Sequence, residues 1–149
     1  MQQPSEAIEC FFRRFEANNS SNDVAAVVSQ FADVFMAASP QGAQPVRASD
    51  FALALPKRKE LFGRMGCRST ELVSVTEKRL DARYVLAGTQ WKMRFERPDI
   101  TPQELVVESV FIVDTGEGGT GEAGAAKIVF YLANQDIMQV VKERGLLPA

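Results

Sequence analysis

The sequence predicts an α+β fold in which a strongly bent antiparallel sheet of four long strands plus a short strand wraps around three N-terminal helices. The helices fill a cone, and a short C-terminal helix follows. The first observation is the segment 83–97, RYVLAGTQWKMRFER, which alternates along its length. Val85, Ala87, Thr89, Trp91, Met93 and Phe95 share one face, and Gln90, Lys92, Arg94 and Glu96 share the other. A period of two marks a strand with one buried and one wetter face. The run exceeds the roughly five or six residues of an average strand, as a central strand of a bent sheet must. The second observation is the order of periods, helical in the first half of the chain and alternating in the second. A sheet apolar on one face buries that face against helices, and long strands wrapped around helices leave an open mouth of the kind that holds ligands.

The elements follow in order. Ser5-Glu6-Ala7-Ile8 opens the first helix, with Ile8 standing where a capping box would place a glutamate. Ile8, Phe11, Phe12 and Phe15 recur at helical spacing as its apolar stripe. Asn18–Asn22 stops it, and Asn22 or Asp23 caps a second helix that points Val24, Val27, Val28 and Phe31 inward, with Val34 or Phe35 at its end. A short extended piece, 34–38, leads into a Pro/Gly-rich loop at 39–46. Ser49 or Asp50 caps a third helix to about Met65, which Pro56 should break or kink. Strands are expected at 70–79, 83–97, 104–114 and 125–133, with a tight turn at Leu80-Asp81-Ala82. Leu105, Val107, Ser109, Phe111 and Val113 share a face. The glycine-rich stretch 115–124 reads as a hairpin loop. A last helix spans 136–144 and stops at Gly145.

A chain of 149 residues is the size of one domain, here expected over 1–149. Such a chain buries about 70% of its unfolded surface, and 46% hydrophobic with 24% charged residues is an ordinary globular composition. The net charge of −2 carries no basic footprint. Lys57-Arg58-Lys59 is followed at once by Glu60 and reads as a solvated helix face, so no nucleic-acid partner is expected. The opening residues lack the positive and apolar regions of a signal peptide. No run approaches the roughly 18 apolar residues of a membrane span. The expectation is a cytoplasmic protein with reduced thiols and no membrane partner. Cys10, on the apolar face of the first helix, and Cys67, at a strand entrance, read as packing residues.

The order of elements resembles the nuclear transport factor 2-like superfamily of cone-shaped domains, also called SnoaL-like or cystatin-like. The residues that carry the resemblance are Asp23-Val24-Ala25-Ala26-Val27-Val28, Phe31-Ala32-Asp33, Trp91, and the closing Phe130-Tyr131-Leu132 with Asp136-Ile137-Met138. The resemblance implies a cone over nearly the whole chain. The superfamily includes ketosteroid-isomerase-like enzymes, polyketide cyclases, dehydratases, dioxygenase subunits and non-catalytic transport adaptors, and such a fold does not fix an activity. The isomerase branch would place its carboxylate base where this chain has Ser39, in Ala38-Ser39-Pro40-Gln41-Gly42. A serine without an activating base is a poor proton acceptor. The tyrosine that branch carries on its first helix falls near Phe11 or Phe12, which have no hydroxyl. Dehydratase branches lean on histidines, and this chain has none.

Asp33 is the remaining candidate catalytic carboxylate, provided that its side chain turns into the cone. A ligand cavity would be lined by Phe12, Phe15, Phe31, Phe35, Thr89, Trp91, Met93, Ser109, Phe111 and Tyr131. The indole N–H of Trp91 could orient a ligand, and Thr89 and Ser109 are the small polar residues of a cavity floor or filler beside larger neighbours. No metal-ligand pattern and no phosphate-cradling loop is present, and no cofactor is expected. The leading reading is a domain that binds a small apolar or amphipathic molecule without catalysis, paired as a homodimer through its outer sheet face. The alternatives are a divergent isomerase or cyclase using Asp33 as general acid/base, and a protein-interaction adaptor whose cone is filled by its own side chains.

Overall fold

In the computed structural model, the described residues are 1–116 and 126–147. They form helices α1 (Glu6–Ser20), α2 (Val24–Ser29), α3 (Ala48–Arg64) and α4 (Ile137–Glu143). The strands are β1 (Phe31–Ser39), β2 (Gly42–Arg47), β3 (Cys67–Arg79), β4 (Tyr84–Phe95), β5 (Gln103–Asp114) and β6 (Lys127–Ala133). One six-stranded sheet runs in the order β2-β1-β6-β5-β4-β3. It is curled and unclosed, since β2 and β3 lie at opposite edges. Register slips within β1/β6, β3/β4 and β5/β6 supply the bending that irregular pairing gives a sheet.

Local chemistry accounts for the helix starts. The Ser5 hydroxyl accepts from the Ile8 N–H, and Glu6 and Glu9 lie in the first turn of α1, where they complement the helix dipole. Asp23 caps α2 by accepting from Ala26 N–H at 3.0 Å, and Asp136 caps α4 by accepting from Gln139 N–H. The core forms two clusters. The larger gathers Ile8, Phe11 and Phe12 of α1 with Phe31, Phe35, Trp91 and Phe111 of the sheet. The smaller gathers Phe62, Met65, Met93, Phe95, Leu105, Val141 and Leu146, and Val107 packs against both.

Several expectations need correction. The sheet has six strands, and β1 and β6 pair in parallel, so it is not wholly antiparallel. The segment read as a Pro/Gly loop is a hairpin, because Gly42 adopts φ 135° at the turn and Pro45 lies on an edge strand, where a missing N–H is tolerated. Phe31 and Phe35 belong to β1, not to the second helix. A spacing of four satisfies both periods, so the sequence alone does not separate them, and Val34 is 56% exposed. Pro56 does not interrupt α3, which buries Leu55 on one side of it and Phe62 on the other. Neither Ser49 nor Asp50 caps that helix; Arg47 holds the N-cap position without a side-chain bond, and Asp50 falls in the first turn. Cys10 is exposed, because Ile8, Phe11 and Phe12 set the buried face and residue 10 projects about 200° from Ile8 and Phe12. The expected glycine-rich loop lies outside the described residues beyond Gly116. Among the described residues no helix is long and apolar enough to cross a membrane.

Candidate functional site

The concave face of the sheet is assembled row by row from cross-strand partners. Tyr131 pairs with Phe111, and Phe111 with Ala87; Ser109 pairs with Thr89, and Thr89 with Val75. Val107 pairs with Trp91, and Trp91 with Leu72. Onto these rows α1 lowers Phe12 and Phe15. Phe12 and Phe15 lie 5.1 and 5.7 Å from Phe111, ring centre to ring centre, and Phe15 lies 6.1 Å from Trp91. Phe31 stands 5.9 Å from Phe15 and 4.6 Å from Phe35, and Tyr131 stands 5.1 Å from Phe111. These edge-on and tilted contacts are favourable geometries for aromatic pairs. Of the ten sequence-predicted lining residues, Met93 goes instead to the smaller cluster. The others come together as packed side chains around Trp91.

The polar atoms within this face are arranged by donor and acceptor count. The indole N–H of Trp91 donates to Thr89 Oγ1 at 2.8 Å. Thr89 Oγ1 also lies 2.9 Å from the Ser109 carbonyl oxygen and 2.9 Å from Ser109 Oγ. One arrangement uses every donor: Thr89 O–H to the Ser109 carbonyl, with Ser109 O–H and Trp91 N–H both to Thr89 Oγ1. The Trp91 N–H is therefore engaged internally and is not held out to a ligand.

Tyr131 differs. Its hydroxyl has no hydrogen-bond partner among the described residues and keeps access to solvent. Burial pushes its pKa up, against the opposing charge of Arg58. Arg58 comes from α3 and holds its guanidinium 5.0 Å from the centre of the Phe62 ring, a cation–π distance. Sequence reading set Arg58 aside with its basic neighbours. The signal that distinguishes it is the i,i+4 step to Phe62, which lays its long side chain along the helix surface.

Asp33 does not turn into the cone. It is exposed on β1, where the pairing with β6 slips between Phe31 and Met36 and takes Asp33 out of simple alternation. It borders a surface groove of about 640 Å³ together with Phe31, Ala25, Ala32, Ala48, Ala52 and Lys127. Lys127 there donates to the Ser29 carbonyl. Cys67 is half-buried, and burial raises its thiol pKa, which makes it a poorer nucleophile. Among the described residues no three His, Cys, Asp or Glu side chains gather as metal ligands.

No family model matches the chain, and no curated protein matches it by sequence. Solved structures match it over nearly its whole length. An NTF-2-like protein of unknown function from Shewanella oneidensis is 12% identical, with 89% of this chain and 100% of that one covered at a TM-score of 0.66. An NTF2-like protein with a cystatin-like fold from Novosphingobium aromaticivorans is 14% identical, with coverage of 97% and 88% at a TM-score of 0.67. The beta subunit of benzoate 1,2-dioxygenase from Burkholderia mallei is 15% identical, with coverage of 94% and 96% at a TM-score of 0.64. At these identities the likeness establishes a shared fold.

Proposed function

We propose that this chain, which has the nuclear transport factor 2-like fold, is a small-molecule-binding domain that takes an apolar or amphipathic molecule on its concave face and does no chemistry on it. The observation that carries the reading is the Tyr131 hydroxyl, which stands beside the Phe111 ring with access to solvent and no hydrogen-bond partner among the described residues. Other buried polar side chains of this face, Thr89 and Ser109, are bonded to one another. A solvent-accessible hydroxyl beside an aromatic wall is a group that an external acceptor can reach, with apolar surface next to it for the rest of a ligand. The absence of histidine from the sequence and the exposure of Asp33 leave no acid/base pair facing that hydroxyl.

The test uses the neutral fluorophore N-phenyl-1-naphthylamine. Saturable binding with quenching of Trp91 emission is expected. It should be lost in Ala37→Leu, which adds bulk beside Tyr131 in the parallel β1/β6 pair. No saturable binding, or binding untouched by that variant, would refute the concave-face site.

A second reading concerns the outer face, where Met36, Phe130, Ile112 and Leu86 are successive cross-strand partners over four strands. Ala38, Leu132, Val110 and Gly88 form the adjoining row. Such a patch, with Met36 37% exposed, suits a second copy of the chain and supports a homodimer. Light scattering of the eluting protein should give a dimer mass, and Ile112→Arg should give a monomer with unchanged far-ultraviolet circular dichroism. A wild-type monomer at micromolar concentration would dismiss the pairing.

A further inference from the structure

We propose that the C-terminal segment 137–147 is a clasped lid, locked by Arg97 over the smaller core cluster, whose opening gives a ligand its way to the concave face. This entrance rests on the binding reading above and adds its gate.

The segment is a single piece with one apolar foot. The Gly145 N–H donates to the Lys142 carbonyl at 3.1 Å, and the Leu146 N–H to the Val141 carbonyl at 2.9 Å. That pair of bonds, with Gly145 at φ 69°, is the Schellman ending of a helix, and it ties Leu146 to α4. Val141 and Leu146 are fully buried, whereas Met138 is 40% and Leu147 38% exposed. A helix of 7 residues is shorter than the roughly 12–15 that a free helix needs. α4 is therefore held by what it docks on. Val141 and Leu146 cluster with Phe62, Met65, Met93, Phe95 and Leu105, and Ile137 and Val140 are partly buried against the same group.

The polar clasp is one guanidinium. Arg97 Nη1 donates to the Met65 carbonyl at 2.7 Å and to the Leu146 carbonyl at 2.8 Å, and Nη2 to the Leu147 carbonyl at 3.4 Å. Met65 is the C-cap of α3, so a single side chain ties the end of the lid to the end of that helix. Nε donates to Asp99 Oδ1 at 2.7 Å, which fixes the plane of the fork. The Arg97 side chain is only 12% exposed, and hydrogen bonds gain strength where water is partly excluded. Gln103 adds a longer bond, Nε2 to the Arg144 carbonyl at 3.2 Å. The other cover, α1, is held differently. Its Phe11 and Phe12 lie in the larger cluster, Arg13 donates to the Leu72 carbonyl, and Glu16 accepts from the Leu72 N–H. Against that buried stripe and those strand bonds, α4 has two buried anchors and a clasp, so α4 is the cover that opens. Next to its docking site Val107 packs against both clusters and pairs with Trp91, and Ser109 and Phe111 follow at alternate positions of β5. Lifting Val141 and Leu146 uncovers the end of that row, which leads to Phe111 and its partner Tyr131.

The experiment takes two readouts on the wild type, Arg97→Gln and Gln103→Ala. Amide hydrogen exchange followed by mass spectrometry reports opening of 137–147 with no ligand present. Arg97→Gln should speed exchange there by about tenfold, the size of one hydrogen bond to a charged group, and leave β4 and β5 protected. Stopped-flow mixing with N-phenyl-1-naphthylamine should then show association and dissociation both faster by a similar factor, with the equilibrium affinity little changed. A gate speeds entry and exit together, whereas a merely deformed site loses affinity through faster dissociation alone. Gln103→Ala removes the longer bond and should move both readouts in the same direction by a smaller factor, which keeps the test in force if Arg97→Gln fails to fold. Exchange at 137–147 no faster than wild type in the folded variants would overturn the clasp. Faster exchange with unchanged binding rates would overturn the entrance and leave the concave-face site standing. Failure of the wild type to bind the fluorophore would refute the site and its entrance together.

Discussion

The two faces of β4 are made from one alternating segment and treat polar atoms in opposite ways. On the concave side Val85, Ala87, Thr89, Trp91, Met93 and Phe95 are all at most 8% exposed, and Thr89 and the Trp91 N–H are bonded within the face. On the outer side Lys92 reaches Glu71 at 3.9 Å and Glu104 at 3.7 Å, pairs in which every side chain is more than a third exposed. Exposed pairs of that kind contribute about 1 kcal/mol or less. The concave face therefore carries the stability of the sheet, and the outer face contributes little through its exposed ion pairs. Tyr131 is the exception that makes this comparison informative. It lies on the same face as Thr89 and Ser109, but its hydroxyl keeps access to solvent and has no hydrogen-bond partner among the described residues.

The largest way to break the comparison is to hollow out the concave side. Phe12 is fully buried and touches Phe11, Phe15 and Phe111. Phe12→Ala should lower unfolding free energy by about 3–5 kcal/mol in urea titration. Gln90→Ala, on the opposite face of the same sheet, should change it by no more than about 0.5 kcal/mol. Similar losses for the two variants would mean that the faces are not energetically distinct.

A middle-sized effect sharpens the account of the buried polar atoms. Thr89→Val keeps the shape of the side chain and removes its oxygen. The Trp91 N–H and the Ser109 hydroxyl then lose their partner inside the face. The expected cost is about 1–3 kcal/mol, the penalty of leaving a buried donor unpaired, together with a shift in the emission of the chain's only tryptophan. An unchanged spectrum and stability would show that water replaces the threonine oxygen.

What was legible in the sequence follows the same division. Strict alternation in β4 and β5 reappears as alternating burial along both strands, because a buried face of a regular strand leaves a period of two in the chain. Caps at Ser5 and Asp23 were legible because each acts on amides three residues away. Pairing that depends on distant strands was not. The β1/β6 slip at Asp33, and the parallel partnership itself, are set by residues 94 to 97 positions apart and leave no local pattern. The hairpin of β1 and β2 was hidden by Gly42 and Pro45, whose residue types read the same in a loop and on an edge.

The smallest effect tests the rim where the two faces meet. Arg83 grips Asp114 with two bonds, Nε to Oδ1 at 2.7 Å and Nη2 to Oδ2 at 2.8 Å, and Gly116 N–H donates to the same carboxylate at 3.0 Å. The Arg83 bonds, ahead of the backbone contribution, hold the Asp114 pKa below the ordinary 3.8. A depressed folded-state pKa adds stability that is complete above the unfolded value and is lost as pH falls from about 3.8 through the folded value. Arg83 is 47% exposed, so solvent screening limits the contribution to about 1 kcal/mol or less. Asp114→Asn should therefore be slightly less stable than wild type at pH 7, with the gap closing below pH 3.8. Denaturation midpoints at pH 7, 5 and 3 measure this. A gap that persists unchanged at pH 3 would assign the loss to the geometry of the rim instead of its charge. A gap well above 1 kcal/mol at pH 7 would place Asp114 with the buried concave network and move the boundary between the two faces.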